Sequence, residues 1–309
     1  VQAFYCDHFV LPLPPDHRFP MAKYSRLRER VAAELPGVRL VEPPAASAAV
    51  LGRVHDADYV ERVMRDGLNR SEIRAIGFPW SAAMVERACR SVGATLAACD
   101  AAQIEGVAVN LAGGTHHAYR DRGQGYCVFN DVAVAARQLQ AAAGRPQRVV
   151  IVDLDVHQGN GTASIFAGDN SVFTLSLHGA GNFPFRKELS DLDVALPDGT
   201  GDAEYLDALE QALEQMAARF DPEFLFYVAG ADAHAEDRLG KLSLSTAGMR
   251  GRDERVFALA RALRLPLVVT MAGGYGRQLD TTVAVHFNTV AAAFAEWSAR
   301  NHRAIDAGA

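Results

Sequence analysis

Residues 149–161 read Val-Val-Ile-Val-Asp-Leu-Asp-Val-His-Gln-Gly-Asn-Gly, an apolar run that passes directly into Asp153, Asp155 and His157. Four aliphatic residues rich in β-branching are the composition of a strand covered on both faces, and they are too few for a buried helix. In extended chain alternate side chains share a face, so the two aspartates and the histidine are expected to project together at the end of the strand. Three ionisable groups crowded on one side are costly unless something binds them. Two carboxylates and an imidazole are ligands for a divalent cation.

Runs of the same kind recur at 107–111, 172–177, 224–229 and 267–272. Between them helical periodicity predicts helices near 131–142, 202–220, 246–264 and 280–298. After Asp202 as N-cap, Tyr205, Leu209, Ala212, Leu213, Met216 and Phe220 form one apolar stripe that Pro222 ends. A second stripe, Val85, Ala88, Val92, Leu96 and Cys99, starts after Ser81. Both read as core. Strand and helix in alternation predict an α/β fold, a mostly parallel sheet layered between helices. No proline- or serine-rich linker interrupts the pattern, so residues 1–309 are expected to form a single domain.

With 309 residues, 49% hydrophobic and 22% charged, the chain can bury a substantial core. A net charge of −6 without a Lys/Arg cluster argues against a nucleic-acid partner, and it suits a cationic substrate. Cys6, Cys89, Cys99 and Cys127 form no CxxC pair, no apolar run is long enough for a bilayer, and nothing near Val1 resembles a leader. A cytoplasmic protein with no membrane partner is the expectation. The stretch Gly159-Asn160-Gly161 lacks the full GxGxxG spacing and no GxxxxGK[ST] occurs, so nucleotide binding is not expected.

Open α/β sheets bind ligands at the carboxyl ends of their strands. Four of the strands end in reactive groups: His116 and His117 behind Gly113-Gly114; Asp153, Asp155 and His157; Asp232 after Gly230-Ala231; and Tyr275 after Gly273-Gly274. Asp155, His157 and Asp232 offer three protein ligands, which with an open position is the pattern of a catalytic zinc; Mn²⁺ or Fe²⁺ would accept the same set. Water acidified there becomes a nucleophile near neutral pH, which points to hydrolysis of a carbonyl compound. Such a reaction needs a base, an acid and a donor facing the oxyanion, and His116, His117 and Tyr275 supply them. His178, His234 and His286 read as structural.

The motifs Gly-Gly-Thr-His-His-Ala (113–118), Gly-Tyr-Cys-Val-Phe-Asn-Asp (125–131), Asp-Leu-Asp-Val-His-Gln-Gly-Asn-Gly-Thr (153–162), Gly-Ala-Asp (230–232) and Gly-Gly-Tyr-Gly (273–276) occur in this order. Together they resemble the zinc-dependent histone deacetylases. Asp16-His-Arg-Phe-Pro-Met21, and Gln158 after His157, resemble the class IV branch and its bacterial relatives. The resemblance implies the arginase/deacetylase fold, with a sheet of about eight strands. It implies one zinc per chain on Asp155, His157 and Asp232, His116 and His117 as the tandem histidines, and Tyr275 polarising the substrate carbonyl. Gly125, Tyr126 and Gly274 match substrate-binding positions, with Phe183 as the opposite channel wall for the stem of an acyl-lysine. Asp153 corresponds to the carboxylate that orients His116. A structural potassium ion is also implied, at Asp153 and the backbone oxygens near Asp155, His157, Ser176 and Leu177.

Asn160 matches the partner of the second histidine, an aspartate in many class I members. A carboxylate there would raise the imidazole pKa, whereas an amide mainly fixes orientation. His117 is therefore expected to be the base and His116 the protonated partner. At the rim, residues 76–80 carry no carboxylate where eukaryotic members use an aspartate, which leaves acyl-lysine peptides, longer acyl chains and acetylpolyamines as substrates. An arginase-like ureohydrolase would need two manganese ions and would leave Tyr275 without a role. A non-catalytic acyl-lysine-binding module would have a damaged catalytic set, and this one is complete.

Overall fold

The computed structural model describes residues 1–14, 17–145 and 147–307, with side chains as far as residue 301. Asp16 of the N-terminal motif lies outside the described residues. Eight strands form the sheet: β1 (Gln2–Phe4), β2 (Arg39–Val41), β3 (Val107–Asn110), β4 (Val149–Asp153), β5 (Val172–Gly179), β6 (Leu192–Leu196), β7 (Phe224–Val228) and β8 (Leu267–Thr270). All pair in parallel, in the order β2-β1-β3-β8-β7-β4-β5-β6. The four strands predicted to end in reactive groups, β3, β8, β7 and β4, are contiguous at its centre.

Period-two alternation feeds two separate cores. Val150 and Val152, Leu225 and Tyr227, and Leu267 and Val269 face one side; Val149 and Ile151, Phe224 and Phe226, and Val268 face the other. The first side is covered by α1 (Ala22–Glu34), α8 (Asp202–Arg219), α9 (Thr246–Ala262) and α10 (Leu279–Ala307). The second is covered by α2 (Ala48–Leu51), α3 (Ala57–Met64), α4 (Arg70–Ile76), α5 (Ala82–Glu105), α6 (Asp131–Ala143) and α7 (Asn160–Phe166). The Asp202 stripe packs as expected, with Tyr205, Leu209, Ala212, Leu213 and Met216 buried. Ser81 caps α5 by accepting the Met84 N–H.

β4 stops at Asp153, earlier than an extended segment reaching His157 would. Beyond it, side chains replace the ladder: the Asp155 N–H donates to Asp153 Oδ1 at 3.2 Å and the His157 N–H to Asp155 Oδ1 at 3.0 Å. The alternation survives, because Leu154 and Val156 stay in the core while Asp153, Asp155 and His157 turn towards the site.

Candidate metal centre and channel

Donor atoms of Asp155, His157 and Asp232 all lie within 4.8 Å of one another, and all three residues are buried. His157 Nδ1 is 2.8 Å from Asp155 Oδ1 and 3.3 Å from Asp232 Oδ2. The outer carboxylate oxygens are aimed by backbone: Val156 N–H donates to Asp232 Oδ1 at 2.9 Å and Gly273 N–H to Asp155 Oδ2 at 2.8 Å. Glycine at 273 is a requirement of space, since a Cβ there would come within 1.9 Å of Asp232 Oδ2. Asp232 Oδ2 is buried with no hydrogen-bond partner. A buried carboxylate oxygen without a donor is expensive, and a cation shared with Asp155 and His157 would satisfy it. The donor set fits a divalent metal on these grounds.

The paired histidines sit beside this cluster with ring centres 4.1 Å apart, and different partners hold them. His116 Nδ1 bonds Asp153 Oδ2 at 2.6 Å. Burial depresses the His116 pKa, but Asp153 and then Asp155 outweigh it and hold it up at about 9. His117 Nδ1 bonds Asn160 Oδ1 at 2.6 Å. The amide orientation follows from its other side, where Nδ2 donates to Tyr119 Oη and Gln124 Oε1, both at 2.9 Å. His117 therefore donates from Nδ1, which leaves Nε2 as its basic nitrogen. Burial, reinforced by the positive charge of His116, pushes His117 well below its ordinary pKa.

Tyr275 is anchored through its backbone: its N–H donates to Asp237 Oδ2 at 2.6 Å and its carbonyl accepts from Arg238 Nε at 2.9 Å. Burial drives the phenol pKa far up, so it stays a hydrogen-bond donor. A cavity of about 570 Å³ opens over the cluster, lined among others by His116, His117, Gly125, Tyr126, Phe183 and Tyr275. The His117 and Phe183 rings meet edge-on at 5.0 Å. Gly125 and Tyr126 both have positive φ, and their N–H groups bond Ala75 and Ile76 carbonyls, which fixes this wall against the end of α4. Gly274 is not among the lining residues, although Gly273 beside it is.

The residues carried over for potassium occupy two paired strand ends. β4 and β5 set Asp153 opposite Ser176, with Leu177 next and fully buried. His178 bonds Ser176 Oγ at 3.0 Å and His234 bonds Thr246 Oγ1 at 3.2 Å, while His286 is buried without a hydrogen-bond partner. Three supports escaped the sequence reading. Asp131 accepts the Gly114 N–H and both the N–H and hydroxyl of Thr115, fixing the turn before the histidines. Lys23 reaches from α1 to the Ala272 carbonyl at 3.0 Å. Arg252, fully buried on α9, donates to the carbonyls of Leu154 and Gly230, which precede Asp155 and Asp232. Asp131 stood inside a quoted motif; the other two bind backbone, and no spacing announces that.

A parallel sheet whose four central strands deliver two carboxylates, an imidazole, a buttressed histidine pair and a phenol to one end has the arginase/deacetylase fold. The family profile of the Histone deacetylase domain matches residues 17–290, and the chain belongs to this family. It is 40% identical over 284 residues to an uncharacterized protein of Picosynechococcus sp., covering 91% of this chain and 94% of that one. It is 32% identical over 279 residues to Histone deacetylase 2 of Arabidopsis thaliana, covering 87% and 72% respectively. In fold it matches an HDAC homolog from Aquifex aeolicus with a TM-score of 0.79 at 24% identity, covering 94% of this chain and 83% of that one.

Proposed function

We propose that the chain is a zinc-dependent amidohydrolase that removes an acyl group from Nε-acyl-lysine. The observation that carries this reading is the different anchoring of the two adjacent imidazoles, His116 on the Asp153 carboxylate and His117 on the Asn160 amide, beside a three-donor cluster. Asp155, His157 and Asp232 would hold the cation, which when bound supplies Lewis acidity to the amide carbonyl and to water. His117, neutral at Nε2, takes the proton of the attacking water. His116, which keeps its proton through Asp153, delivers one to the amine as the C–N bond breaks. The Tyr275 hydroxyl donates to the oxygen on which negative charge develops. Tyr126 and Phe183, both lining the cavity, take the methylene stem. A potassium ion at Asp153, Ser176 and Leu177 would stiffen the β4 and β5 ends beneath.

Among the described residues one group of three donors forms, where a two-metal ureohydrolase centre needs further bridging carboxylates. The test is acyl release from a panel of acetyl-lysine peptides, longer acyl-lysines and acetylpolyamines by the zinc-loaded protein. Tyr275→Phe is expected to lower kcat on the best substrate about 100-fold. Full retention of rate in that variant would remove the phenol from the mechanism.

A further inference from the structure

Resting on the deacylase reading above, we propose that the channel mouth selects acyl-lysine carried in an acidic peptide segment and turns away polycationic amines. The net charge of −6 makes a cationic substrate the simple expectation, but the mouth has the opposite sign. Apart from the metal and histidine cluster on the floor, the charged residues lining the cavity among those described are Arg74 and Lys241.

Two further cations stand on the segment that forms one wall. Phe183 and Phe185 line the cavity, and Arg186 and Lys187 follow them directly. Lys187 Nζ is held against this segment by the carbonyls of Asn182 and Pro184, both at 2.6 Å, and Asp193 lies close enough to act on its charge. Asp198 pairs with Lys241 at 3.2 Å and offsets it, and Glu188, which accepts the Tyr119 hydroxyl at 3.1 Å, stands beside Lys187, so the positive charge left over here is that of the two arginines. Arg74 and Arg186 are exposed and bond no side chain among the described residues. Arg74 in the cavity lining, and Arg186 next in the chain to the lining Phe185, place unpaired positive charge along this edge of the cavity. Guanidinium is also the side chain best shaped to grip a carboxylate with two hydrogen bonds. A glutamate or aspartate one or two residues from the acyl-lysine would meet them, since the acylated side chain fills the channel and leaves its backbone at the rim. The trailing ammoniums of an acetylpolyamine would meet repulsion instead.

The test compares kcat/KM of the zinc-loaded protein on two acetyl-lysine peptides that differ only in glutamate or lysine flanks, and on acetylspermidine. A capped, uncharged acetyl-lysine amide serves as reporter of the chemistry. The acidic peptide is expected to exceed the basic one by roughly tenfold at low salt, with acetylspermidine poorest, and the gap is expected to narrow at high salt. Arg74→Glu combined with Arg186→Glu is expected to lower the acidic-to-basic ratio at least about tenfold. Activity on the reporter with equal or basic-favouring peptide rates sinks this proposal alone, as does a ratio unchanged in the double variant. No hydrolysis of the reporter or of either peptide sinks the deacylase reading and this proposal with it.

Discussion

Asn160 gives the second imidazole a neutral partner where the first has a carboxylate. Its oxygen faces His117 while its amide nitrogen is occupied by Tyr119 and Gln124, so it can accept from His117 but offers no full negative charge. Asp153 offers His116 that charge. Asn160→Asp would give the second imidazole a carboxylate too, raising its pKa. A base works only when neutral, so the acidic limb of kcat/KM against pH is expected to move to higher pH, by about one unit or more. An unmoved limb would assign the base elsewhere. At this scale the sequence was most informative about the ionisable groups, because Asp153, Asp155, His157, His116 and His117 crowd the ends of short apolar runs. Lys23 and Arg252 were illegible because their partners are backbone carbonyls 249 and 98 residues away, as Lys23 to Ala272 and Arg252 to Leu154 show.

Among the elements, α9 has a task that its amphipathic pattern conceals. Arg252 donates to the Leu154 and Gly230 carbonyls at 3.3 and 2.5 Å and is itself gripped by Asp253, whose oxygens also accept the Tyr227 and Thr289 hydroxyls. One buried guanidinium thus pins the loops that carry Asp155 and Asp232. Arg252→Met is expected to strand both carbonyls and the Asp253 carboxylate, costing about 3–5 kcal/mol in urea unfolding. Arg65→Met, which removes an exposed pair with Glu61, is expected to cost under about 1 kcal/mol. Equal losses would make the buried arginine an ordinary packing residue. The central strands β3, β4, β5, β7 and β8 were legible as aliphatic runs. β1, β2 and β6 were not: two are three residues long, and β6 at the sheet edge is largely half-exposed, so none carries a continuous apolar run.

Across the whole molecule, the proposed cation would join the loop after β4 to the loop after β7, so its binding is expected to appear in global stability. Titration with zinc is expected to saturate at one equivalent per chain and to raise the melting temperature. At a thousandfold excess over Kd the stabilisation amounts to about 4 kcal/mol. Asp232→Asn is expected to lose most of that rise, and two equivalents bound would bring back a two-metal centre.

The strand order carries a further consequence for synthesis. β8 lies between β3 and β7, yet it begins at Leu267. On the ribosome, therefore, a nascent chain has only two separate ribbons to assemble, β2-β1-β3 and β7-β4-β5-β6, until the strand that welds them has emerged. A stop codon ahead of that strand does not yield a smaller enzyme. It yields two sheets with four open edges, each a template for pairing with a neighbour.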